Sequence, residues 1–355
     1  MNYRSNTLYR TRFLPDDVEI TVEPDQDILT AALYAGVNLK YGCRHGNCST
    51  CKHWLIEGDV DNSKASADAI SHDDRENDAI LLCCAYPTSD VVIEIESDIT
   101  QPLPELIKPE RRCAVVNEIE AVAGGHMTRL VVELDEPLSF RSGQFCEFIL
   151  DDHASGEQVR RCYSIASSPA AGSKLEFCIK VVERGFFGTL LKNLTPGDKV
   201  ELQGPFGTMS YKGDGREVVM AATGSGIAPL LSILRDLGEG DARPKITLYY
   251  GARSMIELGY VDELTALSRD RDWFECYFCI SQEETPSDSD LYRSGRVVEN
   301  MARDIASGSH LDAYICGAPG MCDTVTGLLE AKGVPESRIF ADRFFPAAIN
   351  LHDVK

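Results

Sequence analysis

Positive charge is scarce in this 355-residue chain: 35 Lys and Arg stand against 56 Asp and Glu, a formal net charge of −21. That deficit argues against nucleic acid or an anionic membrane surface as the main partner. Long apolar runs are also missing, since the longest are broken within about ten residues, short of the roughly 20 that a membrane-crossing helix needs. The opening MNYRSNTLYR lacks the pattern of a secretory leader. The 13 cysteines, an odd number, are therefore expected as thiols in a reducing cytoplasm and not as a disulfide framework. Seven histidines fall in none of the H-E-x-x-H or H-x-x-E-H patterns, which leaves hydrolytic zinc chemistry without support.

What is present is a loop, YGCRHGNCSTCK, whose Cys43, Cys48 and Cys51 have the C-x4-C-x2-C spacing of a plant-type [2Fe-2S] centre. Inert core thiols are one alternative, but Arg44, His45, Gly46, Asn47, Ser49 and Thr50 are poor core residues. Zinc is another, but structural zinc sites usually pair two short hooks, whereas here both gaps share one tight loop. Small residues would also let backbone N–H groups approach the sulfurs and stabilise added negative charge. The fourth ligand is expected at Cys83 in ILLCCAYPTSD, with Cys84 a competitor that spacing alone does not exclude.

Length predicts two or three domains. Around the loop, Tyr9–Pro15 and Val18–Glu23 read as a hairpin, Asp27 as the cap of a helix ILTAALYAGV ending near Gly36, and SDVVIEIE as a last alternating strand. Residues 99–109, with Pro102, Pro104 and Pro109, read as a linker, either a moving joint or a static strap. Residues 1–100 carry 18 acidic against 8 basic side chains. Asp68, Asp73, Asp74, Glu76 and Asp78 are either a solvated face or a docking surface.

From Arg111 to Tyr211, short apolar strings separated by Gly, Pro and Asp predict a small antiparallel β-barrel. Within it, Arg161, Tyr163 and Ser164 offer a cation for phosphate, a ring face and a hydroxyl, as a flavin nucleotide requires; a surface strand is the ordinary alternative. Gly185, Gly188 and Thr189 lie in a turn that leads toward a helix and can meet a pyrophosphate, or simply turn. From Glu217 onward the order becomes β-α-β, predicting a mostly parallel sheet with ligands at its C-terminal strand ends. Thr223, Gly224 and Gly226 follow the first strand there, and Cys316, Gly317 and Pro319 follow a later one. The loop matches neither G-x-G-x-x-G nor a P-loop, so the residues alone imply only an anionic ligand at a helix start.

These three blocks in this order resemble the reductase components of bacterial multicomponent oxygenases, over roughly residues 8–346. ILLCCAYPTSDVVIEIE and RIFADRFFP are most similar to reductases of soluble di-iron monooxygenases of the methane, propane and phenol hydroxylase kinds. The resemblance implies a multidomain chain: an α+β ferredoxin-like (β-grasp) [2Fe-2S] domain at 8–98, the linker, an FAD β-barrel at 110–211, an α/β parallel-sheet NAD domain at 212–346 and a tail at 347–355. It implies Arg161 at the FAD pyrophosphate, Tyr163 at the flavin and ribitol, Ser164 near flavin N5 and Gly185–Thr189 at the pyrophosphate, although Gly188 stands where serine is common. It implies Thr223, Gly224, Gly226 and Pro229 at the nicotinamide nucleotide, with Ala222 replacing a common glycine. Cys316 and Gly317 are implied near the nicotinamide, and Asp342 and Phe344 near the flavin.

NADH is the expected donor. Glu283 and Glu284 follow the third strand and would repel a 2′-phosphate if they face the ribose. NADH delivers electrons as a pair and an iron–sulfur centre takes them singly; a flavin does both. The expected path is NADH to FAD to [2Fe-2S] to a di-iron hydroxylase docking near the acidic ferredoxin domain, with Ser164 and Cys316 positioning the flavin and nicotinamide and forming no covalent bond. Competing readings are the same engine serving a Rieske-type dioxygenase or a deoxysugar dehydrase, and a non-enzymatic protein whose cysteines hold zinc.

Overall fold

The computed structural model describes residues 8–95, 105–151, 158–182, 191, 193–240, 243–287, 289–308 and 310–345. The chain divides into two compact units at Pro109–Glu110.

In the first unit, alternation builds the sheet. Strands β1 (Tyr9–Leu14) and β2 (Val18–Val22) form the hairpin, and β1 buries Thr11 and Phe13 while Arg10 and Arg12 face solvent. Helix α1 (Ile28–Ala35) starts where Asp27 Oδ1 accepts from Thr30 N at 2.8 Å, and it stops at Gly36, whose φ of +89° suits a residue without a Cβ. Then come β3 (Lys52–Glu57), β4 (Val60–Asp61), α2 (His72–Glu76), β5 (Ala79–Leu81), β6 (Tyr86–Pro87) and β7 (Val91–Glu94). The main sheet runs β2-β1-β7-β3-β5, mixed because β1 and β7 are parallel, and β4 pairs with β6 apart from it. Two backbone bonds, Ile28 N to Ala85 O and Leu29 N to Leu82 O, both 3.0 Å, fasten the start of α1 to the segment bearing Cys83. Of the expected linker, residues 99–104 lie outside the described residues. Residues 105–109 have no regular structure, and Lys108 packs over Gly36.

The second unit opens with the antiparallel strands β8 (Glu110–Val122), β9 (Met127–Leu134), β10 (Phe145–Asp151), β11 (Gln158–Ser164), β12 (Lys174–Lys180) and β13 (Lys199–Phe206). Their order is β11-β10-β13-β8-β9-β12, and an Ile165–Phe177 bridge joins the two end strands into a barrel around Leu130, Val132, Phe148 and Phe177. Next come β14 (Glu217–Thr223), α3 (Ile227–Glu239), β15 (Ile246–Ala252), α4 (Val261–Asp270), β16 (Phe274–Ile280), β17 (Tyr292–Ser294), α5 (Val297–Asp304), β18 (Leu311–Gly317), α6 (Pro319–Ala331) and β19 (Ile339–Arg343). They form a parallel sheet, β17-β16-β15-β14-β18-β19. β18 is buried along its whole length and β14 along nearly all of it, as expected of strands covered on both faces. One core joins Met127, Cys178 and Met209 of the barrel region to Met220, Leu230 and Leu234 beside the sheet, so barrel and sheet form a single unit.

Candidate redox and nucleotide sites

The cysteine loop is wound through left-handed backbone that residues other than glycine rarely adopt. Arg44 (φ +60°), Gly46 (φ +80°) and Ser49 (φ +59°) turn the chain so that N–H groups face sulfur. Cys43 N lies 3.3 Å from Cys48 Sγ, and Asn47 N lies 3.4 Å from Cys43 Sγ. His45 Nδ1 donates to Cys43 O at 2.6 Å. A Cβ on Gly42 would sit 3.0 Å from Cys48 Sγ, and one on Gly46 would sit 2.7 Å from Cys84 Sγ, so both glycines are spaced by thiols.

The sulfurs fall into two pairs. Cys43 is pushed up by its hydrogen bond to Cys48 and by burial, while Cys48, accepting that bond, is held down to about 5. Cys51 is raised by its contact with Cys83 and by burial. Cys84 lies beside Cys83, with sulfurs 3.8 Å apart. A tetrahedral zinc site with Zn–S bonds of about 2.3 Å brings all four sulfurs within about 4 Å of one another. Among the described residues only His72, Asp73 and Glu76, all exposed, bring three such ligand atoms within 4.8 Å of one another. Two separated thiol pairs with N–H donors aimed at the sulfurs fit a binuclear iron–sulfur group and do not fit zinc.

On the barrel, β11 carries Arg161, Tyr163 and Ser164 opposite Phe148, Cys146 and Phe145 of β10. Alternation places Arg161 and Tyr163 on one face and Ser164 on the other. The Tyr163 ring meets Phe148 edge-on at 5.6 Å, and burial pushes its phenol pKa up. Arg160 pairs with Glu147 at 3.2 Å. Arg161, half-buried, rests Nη1 on Arg160 O at 2.8 Å and, among the described residues, pairs with no carboxylate. In a chain this acidic, such a guanidinium fits a phosphate-bearing ligand. Gly185, Gly188 and Thr189 lie outside the described residues.

The nucleotide residues converge at one rim. The strand order reverses between β14 and β18, the switch point where such sheets bind ligands. Thr223, Gly224 and Gly226 leave β14 there, Cys316 and Gly317 end β18, and Asp342 of β19 pairs with Cys316. The fit is close. A Cβ on Gly226 would lie 2.2 Å from Cys316 O, and one on Gly317 (φ +138°) would lie 2.4 Å from Thr223 Oγ1. Ala318 N donates to Thr223 Oγ1 at 3.2 Å and Phe344 N to Gly317 O at 2.8 Å. Pro229 is buried in the first turn of α3, which continues directly from the Gly224–Gly226 turn, with Ile227 N donating to Gly224 O. Cys316 itself is fully buried with its sulfur 3.7 Å from Met209 Sδ. Glu283 accepts from Met255 N at 2.7 Å, beside the exits of β15 and β16. Sequence reasoning missed Ala318, Met209 and the packing of Cys84 under Gly46; the glycine at position 46 was the available signal.

Three family models match the chain in order: a 2Fe-2S iron-sulfur cluster binding domain over residues 12–88, an oxidoreductase FAD-binding domain over 114–211 and an oxidoreductase NAD-binding domain over 220–327. The molecule is thus a flavin and iron–sulfur oxidoreductase with a pyridine-nucleotide domain. It belongs to the family of oxygenase reductase components. It is 32% identical to the propane 2-monooxygenase reductase component of Mycolicibacterium goodii over 95% of this chain and 97% of that one. It is also 32% identical to the phenol 2-monooxygenase reductase component DmpP of Pseudomonas sp. (strain CF600), over 96% and 95%. Among solved structures, the Amycolatopsis cytochrome P450 reductase GcoB superposes with a TM-score of 0.82 at 28% identity, over 96% of this chain and all of that one. A ferredoxin reductase of carbazole 1,9a-dioxygenase gives 0.78 at 27%, over 96% and 99%. Among the described residues no helix is long and apolar enough to cross a membrane.

Proposed function

We propose that this chain carries electrons from NADH through FAD and the [2Fe-2S] centre to the di-iron hydroxylase component of a soluble monooxygenase acting on an alkane, cyclic ether or aromatic compound. The observation that carries the acceptor is the end-to-end similarity to propane and phenol monooxygenase reductase components. In this reading Cys43 and Cys48 hold one iron, and Cys51 and Cys83 the other. Arg161 neutralises the FAD pyrophosphate together with Gly185, Gly188 and Thr189, Tyr163 packs on the flavin and ribitol, and Ser164 orients the N5 edge. Thr223, Gly224, Gly226 and Pro229 hold the nucleotide, Cys316 and Gly317 back the nicotinamide, and Asp342 and Phe344 close the flavin side. Ser164 and Cys316 position; no side chain forms a covalent bond. Bound FAD supplies the conversion of an electron pair into single electrons.

The modules run 8–98, 110–211 and 212–346, with a linker at 99–109 and a tail at 347–355. The Glu283 carboxylate supports NADH over NADPH, since a 2′-phosphate near it meets like charge. Exposed Asp68, Asp73, Glu76 and Asp78 support docking of a basic hydroxylase surface on the first unit. The 13 free thiols support a cytoplasmic location.

Anaerobic titration with NADH, together with iron, sulfide and flavin analysis, tests the reading. Flavin bands and a broader cluster envelope are expected, both bleached by NADH. A colourless protein with bound zinc sinks it. Coupled turnover with a purified di-iron hydroxylase tests the acceptor. The likeness to a P450 reductase and to a carbazole dioxygenase reductase favours a second reading, an acceptor of haem or Rieske type. Turnover with those partners and none with the hydroxylase selects it.

A further inference from the structure

Helix α3 opens on the Thr223–Gly226 loop, and its flank meets the barrel directly after Ser164. Ser232, fully buried, donates from Oγ to Ser167 O at 2.7 Å. Arg235 donates through Nη1 to Ala166 O at 3.0 Å and to Glu176 Oε1 at 3.1 Å. Asp236 accepts from Ser142 Oγ at 2.7 Å. Spacings of three and four place 232, 235 and 236 along one face of the helix. The same guanidinium is gripped from α4 by both oxygens of Glu263, each at 2.7 Å. The barrel side of this contact is itself fixed: Ala166 N donates to Glu176 O at 2.7 Å and Glu176 N to Ser167 Oγ at 3.1 Å.

We propose that Arg235, assisted by Ser232, is a positioning residue for hydride transfer, registering the strand that carries the flavin contacts against the helix that carries the nucleotide contacts. Arg161, Tyr163 and Ser164 lie on β11, which runs straight into the carbonyls that Arg235 and Ser232 bind. Gly226 and Pro229 lie at the start of the helix from which those side chains project. A planar fork of donors can bind Ala166 O, Glu176 and Glu263 together, which a lysine ammonium cannot reproduce. The consequence is large because hydride transfer requires reacting atoms held about 3–3.5 Å apart, and a shift of about 1 Å costs on the order of a hundredfold in rate.

The inference rests on the reading that β11 holds FAD and the β14 rim holds NADH; NADH reduction of FAD in the wild-type chain tests that reading separately. Full-length Arg235→Met and Arg235→Lys proteins, loaded with FAD, are compared with wild type by anaerobic stopped-flow. Flavin reduction is expected to slow roughly a hundredfold in the Met variant and less in the Lys variant, with NADH dissociation constants within about threefold and FAD content unchanged. Hydrogen–deuterium exchange gives a readout independent of turnover. Amides of residues 164–168 should exchange faster in both variants, while those of β8 and β9 keep wild-type rates. Ser232→Ala should show the same pattern at smaller amplitude, and it decides the question if the Met variant does not retain FAD. Wild-type reduction rates in FAD-loaded variants overturn the proposal, as does slowing accompanied by loss of exchange protection throughout the barrel. If wild type itself leaves FAD oxidised under NADH, the failure belongs to the site reading.

Discussion

The cysteine loop and the β14–β18 rim both depend on glycines pressed close to a neighbour, and they reach that end differently. The loop is irregular and local: within nine residues, Cys43 to Cys51, it forces Arg44 and Ser49 to positive φ and spends its glycines on closeness to sulfur. The rim is regular and distant, joining β14 to β18 through a parallel register, with Gly226 held against the Cys316 carbonyl and Gly317 against Thr223. A strained loop persists only where its surroundings over-determine it. A sheet supplies its geometry ready-made.

Replacing Cys51 by serine separates the two regions most sharply. The [2Fe-2S] absorbance and iron are expected to be lost while NADH still reduces FAD, and Cys84→Ala should leave iron content unchanged; loss of iron in the Cys84 variant would reassign the fourth ligand. Gly226→Ala strikes the rim. Its φ of −61° tolerates alanine, so the penalty comes from the 2.2 Å approach to Cys316 O, costing roughly 1–3 kcal/mol and weakening NADH binding. Nucleotide titration and thermal unfolding measure both, and an unchanged NADH affinity would show that the rim adjusts.

Gly46→Ala combines a positive φ with the 2.7 Å approach to Cys84 Sγ, and a cost of about 1–2 kcal/mol is expected from the backbone alone. Adding Cys84→Ala should return only the steric part, which a double-mutant cycle reads directly. The smallest effect is a pH dependence confined to the first unit. Burial lowers His53 from 6.5 to about 4, and among the described residues neither of its ring nitrogens has a hydrogen-bond partner. As pH falls from 6.5 toward 4 the unfolded ring takes a proton that the folded ring refuses, so stability declines across that window. Urea unfolding of His53→Phe should show a flatter decline; an identical slope removes His53 as its source.

Local chemistry was legible in the sequence and long-range chemistry was not. Asp27 and Gly36 bound α1 as their types require, and the three-cysteine spacing falls in a loop of the expected kind. Strands β17 and β19 escaped notice because YRS is too short to show alternation and IFADR carries polar residues in its second half. The β-α-β pattern marked the rim, but the contact of Gly226 with Cys316 depends on pairing residues 90 positions apart in sequence. Arg235 looks like any charged residue on an amphipathic helix. Only folding shows that its partners come from the barrel and from α4.

The two bonds from Ile28 and Leu29 to Ala85 and Leu82 bear on how the ligand set is held together. Three candidate ligands share a single stretch, while the segment carrying the fourth is fastened to the first helix. A substitution that unseats the start of α1 is therefore expected to displace the segment bearing Cys83 as well, far from the loop that holds the other three thiols.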